Sequence, residues 1–209
     1  MDEQQPRRSD SREKVLAAAA AMMAEDPAAR LSVRAVAARA GVSTGSLRFH
    51  FPTQQELQDT LLARIFDYLT PDDPIHDSTL SAHDRLVACL RQALAPAGVG
   101  DQARAAWGKA WKAFIEPEQT DDVRHAYVAI ERESLRRIIY WLDVLRDEGA
   151  LHHGDHAQLA RFLMTVLSGI SIERALPAEG SKLHDETATL HTAVAAVLGP
   201  APTTTDDPA

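Results

Sequence analysis

The chain is poor in several features that would each have fixed a different answer. It has one cysteine, Cys89, in 209 residues. A single thiol cannot build an intramolecular disulfide framework, and this usage fits a reducing cytoplasm. Cys89 lies in an apolar helical stretch, which predicts a buried, inert thiol. No apolar run is long enough to span a membrane, and no secretory hydrophobic segment is present. The run Ala17 to Ala21 is short and belongs to an amphipathic pattern. No convincing strand pattern and no internal repeat occur. Catalytic signatures are missing as well: no nucleophile elbow, no glycine-rich phosphate loop, no paired carboxylates in a plausible site. The acidic residues distribute as solvated helix faces, so neither an enzyme nor a cofactor is expected. Positive charge is also scarce. Against 22 Lys and Arg stand 30 Asp and Glu, a net charge of −8, which taken alone argues against a nucleic-acid partner.

The distribution of that charge reverses the argument. Residues 1–50 hold 8 basic and 6 acidic side chains, a net +2, and the remainder holds 14 and 24, a net −10. Arg7, Arg8 and Arg12 lead into the first helix. An excess of two charges decides little by itself, but it coincides with the most informative stretch, Leu31 to Phe51, LSVRAVAARAGVSTGSLRFHF. Val33, Val36, Ala37 and Ala40 recur at i, i+3, i+4, i+7, one apolar helix face, with Ser32 as its N-cap. Ala37 is small enough for a second helix to cross closely, and Gly41 can take positive φ at the helix end. Ser43 then caps a new short helix whose outward residues, Thr44, Gly45, Ser46, Arg48 and Phe49, suit a DNA major groove.

At these residues the segment resembles the DNA-binding domain of the TetR family of transcriptional regulators. The family pattern runs roughly G-V-S-x-G-x-L-Y-x-H-F-x-x-K-x-x-L, and Gly41, Val42, Ser43, Gly45, Leu47, His50, Phe51 and Leu57 fall in register. Two positions depart: Arg48 stands where the family has Tyr, and Gln54 where it has Lys. Both family residues commonly touch the DNA backbone, and Arg48 supplies a charge that Tyr does not. The match covers about residues 12–65. Beyond them the likeness is one of helix order and length.

Along the chain, residues 1–10 read as a disordered arm. Helix 1 is expected at about 11–24, with Val15, Ala19, Met22 and Met23 inward. The helix-turn-helix domain closes at residue 52, where Pro52 stops the third helix. Thr53 and Glu56 form a capping box for helix 4, whose stripe is Leu57, Leu61, Ile65 and Leu69. Residues 70–79 are a loop by composition. Further helices are expected at about 81–95, 101–116, 120–148, 155–176 and 183–198, and residues 199–209 read as a disordered tail. The fold class is therefore all-α with about nine helices: a three-helix DNA-binding domain (11–52) and a larger helical ligand-binding and dimerisation domain (53–198).

The DNA-contacting set is Ser32, Arg34, Ser43, Thr44, Gly45, Ser46, Arg48, Phe49, His50 and Thr53. Ser32 and Arg34 suit phosphate contact at a helix N-terminus. His50 and Phe51 read mainly as inward-packing, with the imidazole able to reach a phosphate. A small-molecule pocket is expected from Trp107, Trp111, Phe114, Tyr127, Glu131, Trp141 and Phe162, with His125 nearby. For any single aromatic, plain core packing is the competing reading. The resemblance implies that the pocket lies among helices 6 to 8. Helix 8 is apolar nearly all round, which predicts burial on every side. With helix 9 it suits a two-fold four-helix interface through Phe162, Val166, Ile170, Leu190, Val194 and Val197. The His152, His153, Asp155, His156 cluster has ligand chemistry for zinc or nickel. It lies in a glycine-containing turn where Asp155 reads better as a helix cap, so no metal is expected. His184 and His191 read as interface or surface residues.

Together these readings predict a cytoplasmic, nucleoid-associated bacterial repressor. It would be a homodimer with two recognition helices about 34–36 Å apart on a pseudo-palindromic operator, released by a small effector. The competing class is an all-α ligand-binding protein or enzyme that does not touch DNA.

Overall fold

A computed structural model of the protein describes residues 4–69, 73–177 and 182–199. The described residues are all-α, as expected. The α-helices are α1 (Gln4–Glu25), α2 (Val33–Ala40), α3 (Thr44–His50), α4 (Gln54–Leu69), α5 (Ala82–Leu94), α6 (Asp101–Ala110), α7 (Asp121–Asp147), α8 (His156–Ala175) and α9 (Lys182–Leu198). Two 3-10 turns, Pro74–His76 and Ala95–Ala97, and a π-helical turn, Trp111–Ile115, complete the order. The chain forms two compact units, residues 1–69 with 108–133, and residues 70–107 with 134–209.

The first unit is built on α1–α4. Val15, Leu16 and Ala19 of α1 pack with Leu31, Val36, Ala37, Leu47, Phe51, Leu57 and Leu61 into one buried cluster. Full burial of side chains such as Phe51 stabilises by roughly 1.5–3 kcal/mol each. Helix α1 begins at Gln4, well before the expected start near residue 11, so Arg7, Arg8 and Arg12 are helical and most of the anticipated arm is not an arm. Pro6 falls in the first turn, where its missing N–H has no intrahelical role. The Lys14 ammonium meets Asp10 at 2.6 Å one turn back. Residues 1–3 of the expected arm and 200–209 of the expected tail lie outside the described residues.

The second unit has its own core. Leu86, Leu90, Trp141, Leu142, Leu163, Leu167, Leu190 and Val194 are central to it. The segment read as a bare loop supplies a polar hub beside this core. Asp73 accepts from Trp141 Nε1 at 3.1 Å and from the Ile75 backbone N–H at 3.2 Å, and pairs with Arg137 at 3.2 Å. Arg174 joins α8 to Glu186 of α9 at 2.6 Å and donates to the Leu94 carbonyl at 2.7 Å. Arg85 pairs with Glu148 and donates to the Ile75 carbonyl at 2.7 Å. Cys89 is fully buried, and burial, with Asp73 nearby, pushes its thiol pKa up.

Helix α8 buries one of its two apolar faces within the chain. Ala160, Leu163, Leu167 and Ile170 form its buried stripe, whereas Phe162 and Ile172 on the other side are open to solvent. A helix inside one chain buries only the side that meets a core, so apolar composition on both faces does not bury both. Asp155 caps α8 by accepting from the Ala157 N–H at 2.8 Å.

Candidate nucleic-acid interface

Two serine caps and one glycine shape the interface. Ser32 Oγ accepts from the Ala35 N–H at 3.2 Å and starts α2. Gly41 ends it at φ +65, ψ +31, with its N–H directed at the Ala37 and Ala38 carbonyls. The Val42 N–H closes on Ala37 O at 3.0 Å. Ser43 Oγ accepts from the Ser46 N–H at 3.0 Å and starts α3. An isolated helix of seven residues has no stability of its own in water, so the cap and the single inward anchor, fully buried Leu47, hold α3 in place.

That anchoring sets which side chains face out. Thr44, Gly45, Arg48 and Phe49 are exposed and Ser46 is half-buried. Phe49 keeps 66% of its surface exposed. His50 is half-buried and stacks edge-on against Phe49, with ring centroids 5.2 Å apart. Phe51 is in the core, and the Arg12 guanidinium lies 5.4 Å from its ring centroid. This packing places Arg12 against the domain. On the flanks, Arg34 is exposed, and Thr53 Oγ1 accepts from the Glu56 N–H at 3.0 Å.

Ion pairing sorts the cations, a signal the sequence pattern did not carry. Arg39 is engaged bidentately by Glu25 at 2.7 and 2.5 Å, and its hydrogen bonds hold the Glu25 carboxyl below the usual range. Arg64 is engaged by Glu13 at 2.6 Å. Arg30 reaches Asp122 at 3.5 Å. Arg34 and Arg48 make no ion pair among the described residues, so their charge is available to an external anion such as a phosphate.

The aromatic set expected to line a pocket is divided between the two units. Trp111, Phe114, Tyr127 and Glu131 belong to the first; Trp107, Trp141 and Phe162 belong to the second. Phe114 and Tyr127 meet edge-on at 5.7 Å. Trp141 is 1% exposed within its core, whereas Trp111, Tyr127 and Phe162 are about half exposed. The π-helical turn at Trp111–Ile115 interrupts the regular 3.6-residue phase on which the Trp107, Trp111, Phe114 spacing was read. Of the residues expected at a subunit interface, Ile170, Leu190, Val194 and Val197 lie in the chain's own core, while Phe162 is exposed and Val166 half-buried. In the histidine cluster, His156 Nδ1 lies 2.8 Å from Asp143 of α7, and the His152 and His153 rings are 6.3 Å apart.

A helix anchored by buried Val36 and Ala37, a glycine turn and a short second helix held by one leucine define a helix-turn-helix. Residues 15–60 match the family model of bacterial regulatory proteins of the tetR family. The match covers the helix-turn-helix segment and the start of α4. Among solved structures it is similar to a protein described as a TetR-family transcriptional regulator from a Rhodococcus species. That likeness has 22% identity and a TM-score of 0.51, covering 91% of this chain and 99% of the other. It is also similar to GusR of Salmonella enterica, with 17% identity and a TM-score of 0.51, covering 96% and 99%. Similarity at this identity speaks to the fold. No curated protein matches the chain. No helix among the described residues is long and apolar enough to cross a membrane.

Proposed function

We propose that the protein is a DNA-binding transcriptional repressor that works as a homodimer on a pseudo-palindromic operator and is released by a small effector. The observation that carries this reading is the exposed face of α3 with Arg48, flanked by exposed Arg34, neither in an ion pair among the described residues. Thr44, Gly45, Ser46, Arg48 and Phe49 are the groove-facing set. Ser32, Arg34, Ser43, His50 and Thr53 are the flanking set that contacts the backbone. A bidentate arginine contact to a base contributes about 1–3 kcal/mol of discrimination.

A single short helix reads few base pairs, and a two-fold dimer doubles the site. The outward face of α8, Phe162, Val166, Gly169 and Ile172, is the surface we assign to the partner. Its hydroxyls support burial: Thr165 and Ser168 donate to the carbonyls of Arg161 and Met164 in their own helix, both at 2.9 Å. On α9, Thr192 does the same toward Ala188 at 2.8 Å. Hydroxyls satisfied in this way leave methyl and small apolar surface outward, with no orphan donors to desolvate. The effector would act through a coupling free energy, so operator DNA must weaken effector binding by the same factor.

The test is selection of bound genomic fragments, followed by a salt titration of affinity. Neutralisation of several phosphates predicts a steep linear fall of log affinity with log salt. Arg48→Ala should weaken operator binding while the dimer and the fold persist. A flat salt dependence together with no retained fragment would favour the competing class, a helical ligand-binding protein without DNA.

A further inference from the structure

Residues 121–132, the first half of α7, belong to the same compact unit as the helix-turn-helix. How they are attached is unusual. The main apolar cluster of this unit draws on α1–α4 and the segments between them, and the first half of α7 adds the small buried side chains Ala126 and Ala129. Beside them lies an open cleft of about 370 Å³, lined by Gln54, Gln55 and Gln58 of α4 and by His125, Ala126 and Ala129 of α7. Two ion pairs span the junction, far apart in sequence. Arg132 meets Asp59 of α4 at 2.5 Å. Asp122 meets Arg30, two residues ahead of the α2 cap, at 3.5 Å.

The two attachment points are the segments on either side of the proposed DNA face. Arg30 leads into Ser32 and Arg34. Asp59 lies on α4 little more than one turn from its start, just after Thr53. We infer that Arg132 and Asp122 are positioning residues: they hold the entry to α2 and the first turns of α4 in the spacing that the phosphate contacts require. A contact of large apolar side chains would have fixed that spacing more rigidly than Ala126 and Ala129 do. All four side chains are about half exposed, and such pairs contribute little to stability and weaken with salt. A joint of this kind can be reset at small cost, which suits the point where a regulator transmits a signal from α7 to its DNA face. The inference rests on the proposed DNA-binding reading for its consequence, but not for its geometry.

The experiment uses the full-length protein and two readouts. The first is amide hydrogen exchange in residues 30–36 and 54–60, which needs no DNA. Arg132→Gln, Asp59→Asn and Asp122→Asn should each speed exchange there by about threefold to fivefold, with little change in thermal unfolding. The exchanged pair, Arg132→Asp with Asp59→Arg, should return exchange to within about twofold of the original, and Arg132→Lys should lie between. The second readout is operator affinity, which should follow the same order, loss in the single variants and recovery in the exchanged pair. Unchanged exchange in all single variants overturns the inference, as does loss that the exchanged pair fails to recover. If the unaltered chain retains no DNA, the repressor reading fails, and the exchange data still decide whether the two pairs hold the joint.

Discussion

Replacing Gly45 by alanine should raise stability and lower DNA affinity, two effects of opposite sign from one methyl group. Gly45 is the second residue of α3, is exposed, and has no positive φ. A Cβ built there meets only Ser43 Oγ, at 3.8 Å, an ordinary contact. The fold therefore does not need glycine at this position. Alanine is favoured over glycine inside helices by about 0.5–1 kcal/mol, and the lower end applies in a first turn. In a chain of this length about 1 kcal/mol moves the melting temperature by roughly 2–4 °C, so a rise of about 1–4 °C is expected. If α3 enters the groove with its backbone close to the duplex, the same methyl overpacks the contact by about 1–3 kcal/mol, a loss on the order of tenfold or more in affinity. Thermal unfolding by circular dichroism gives the first number, and fluorescence anisotropy on a selected operator gives the second. A higher melting point with unchanged affinity would falsify the placement of Gly45 at the DNA. A fall in both would mean that glycine is there for the fold, contrary to the geometry.

Gly41→Ala should do the reverse to stability. Its φ of +65 lies in the left-handed region, where a side chain costs about 1–2 kcal/mol, partly offset by about 0.4–1 kcal/mol from a less free unfolded chain. With no atom within 4 Å of the added Cβ, the cost is purely one of backbone conformation, so the urea midpoint should drop and Gly41→Asn should drop it less. Equal midpoints for Gly41→Ala and the original chain would refute this. Cys89 should resist a thiol reagent at pH 8 in the folded protein and react once on denaturation, because its thiol is buried and its pKa is raised. Prompt labelling of the folded chain would contradict that burial.

How much was legible in the sequence follows from which interactions are local. Ser32 and Ser43 each bond an N–H three residues ahead, and Gly41 caps carbonyls three and four residues back. Spacing within a dozen residues therefore revealed α2, α3 and the turn between them, and Asp155 was readable as a cap for the same reason. The start of α1 was missed because Pro6 and the polar residues around it read as a disordered arm, although a first turn tolerates proline. Asp73 was missed for a different reason. In a proline- and aspartate-rich segment it looks like one more loop residue, and its partners Trp141 and Arg137 are more than sixty residues away.

Taken alone, the order of residues determined the all-α class, the helix-turn-helix and the identity of the outward side chains on α3, because periodicity, caps and glycine conformation are short-range properties. Only the tertiary structure decided which apolar residues close the chain's own core and which stay open. Ile170, Leu190 and Val194 went inward while Phe162 stayed out, a choice made by what each helix face meets. Tertiary structure also decided which cations are already neutralised. Arg39 and Arg64 have acidic partners and, among the described residues, Arg34 and Arg48 do not, because an ion pair depends on two side chains meeting in space, wherever they stand in the chain.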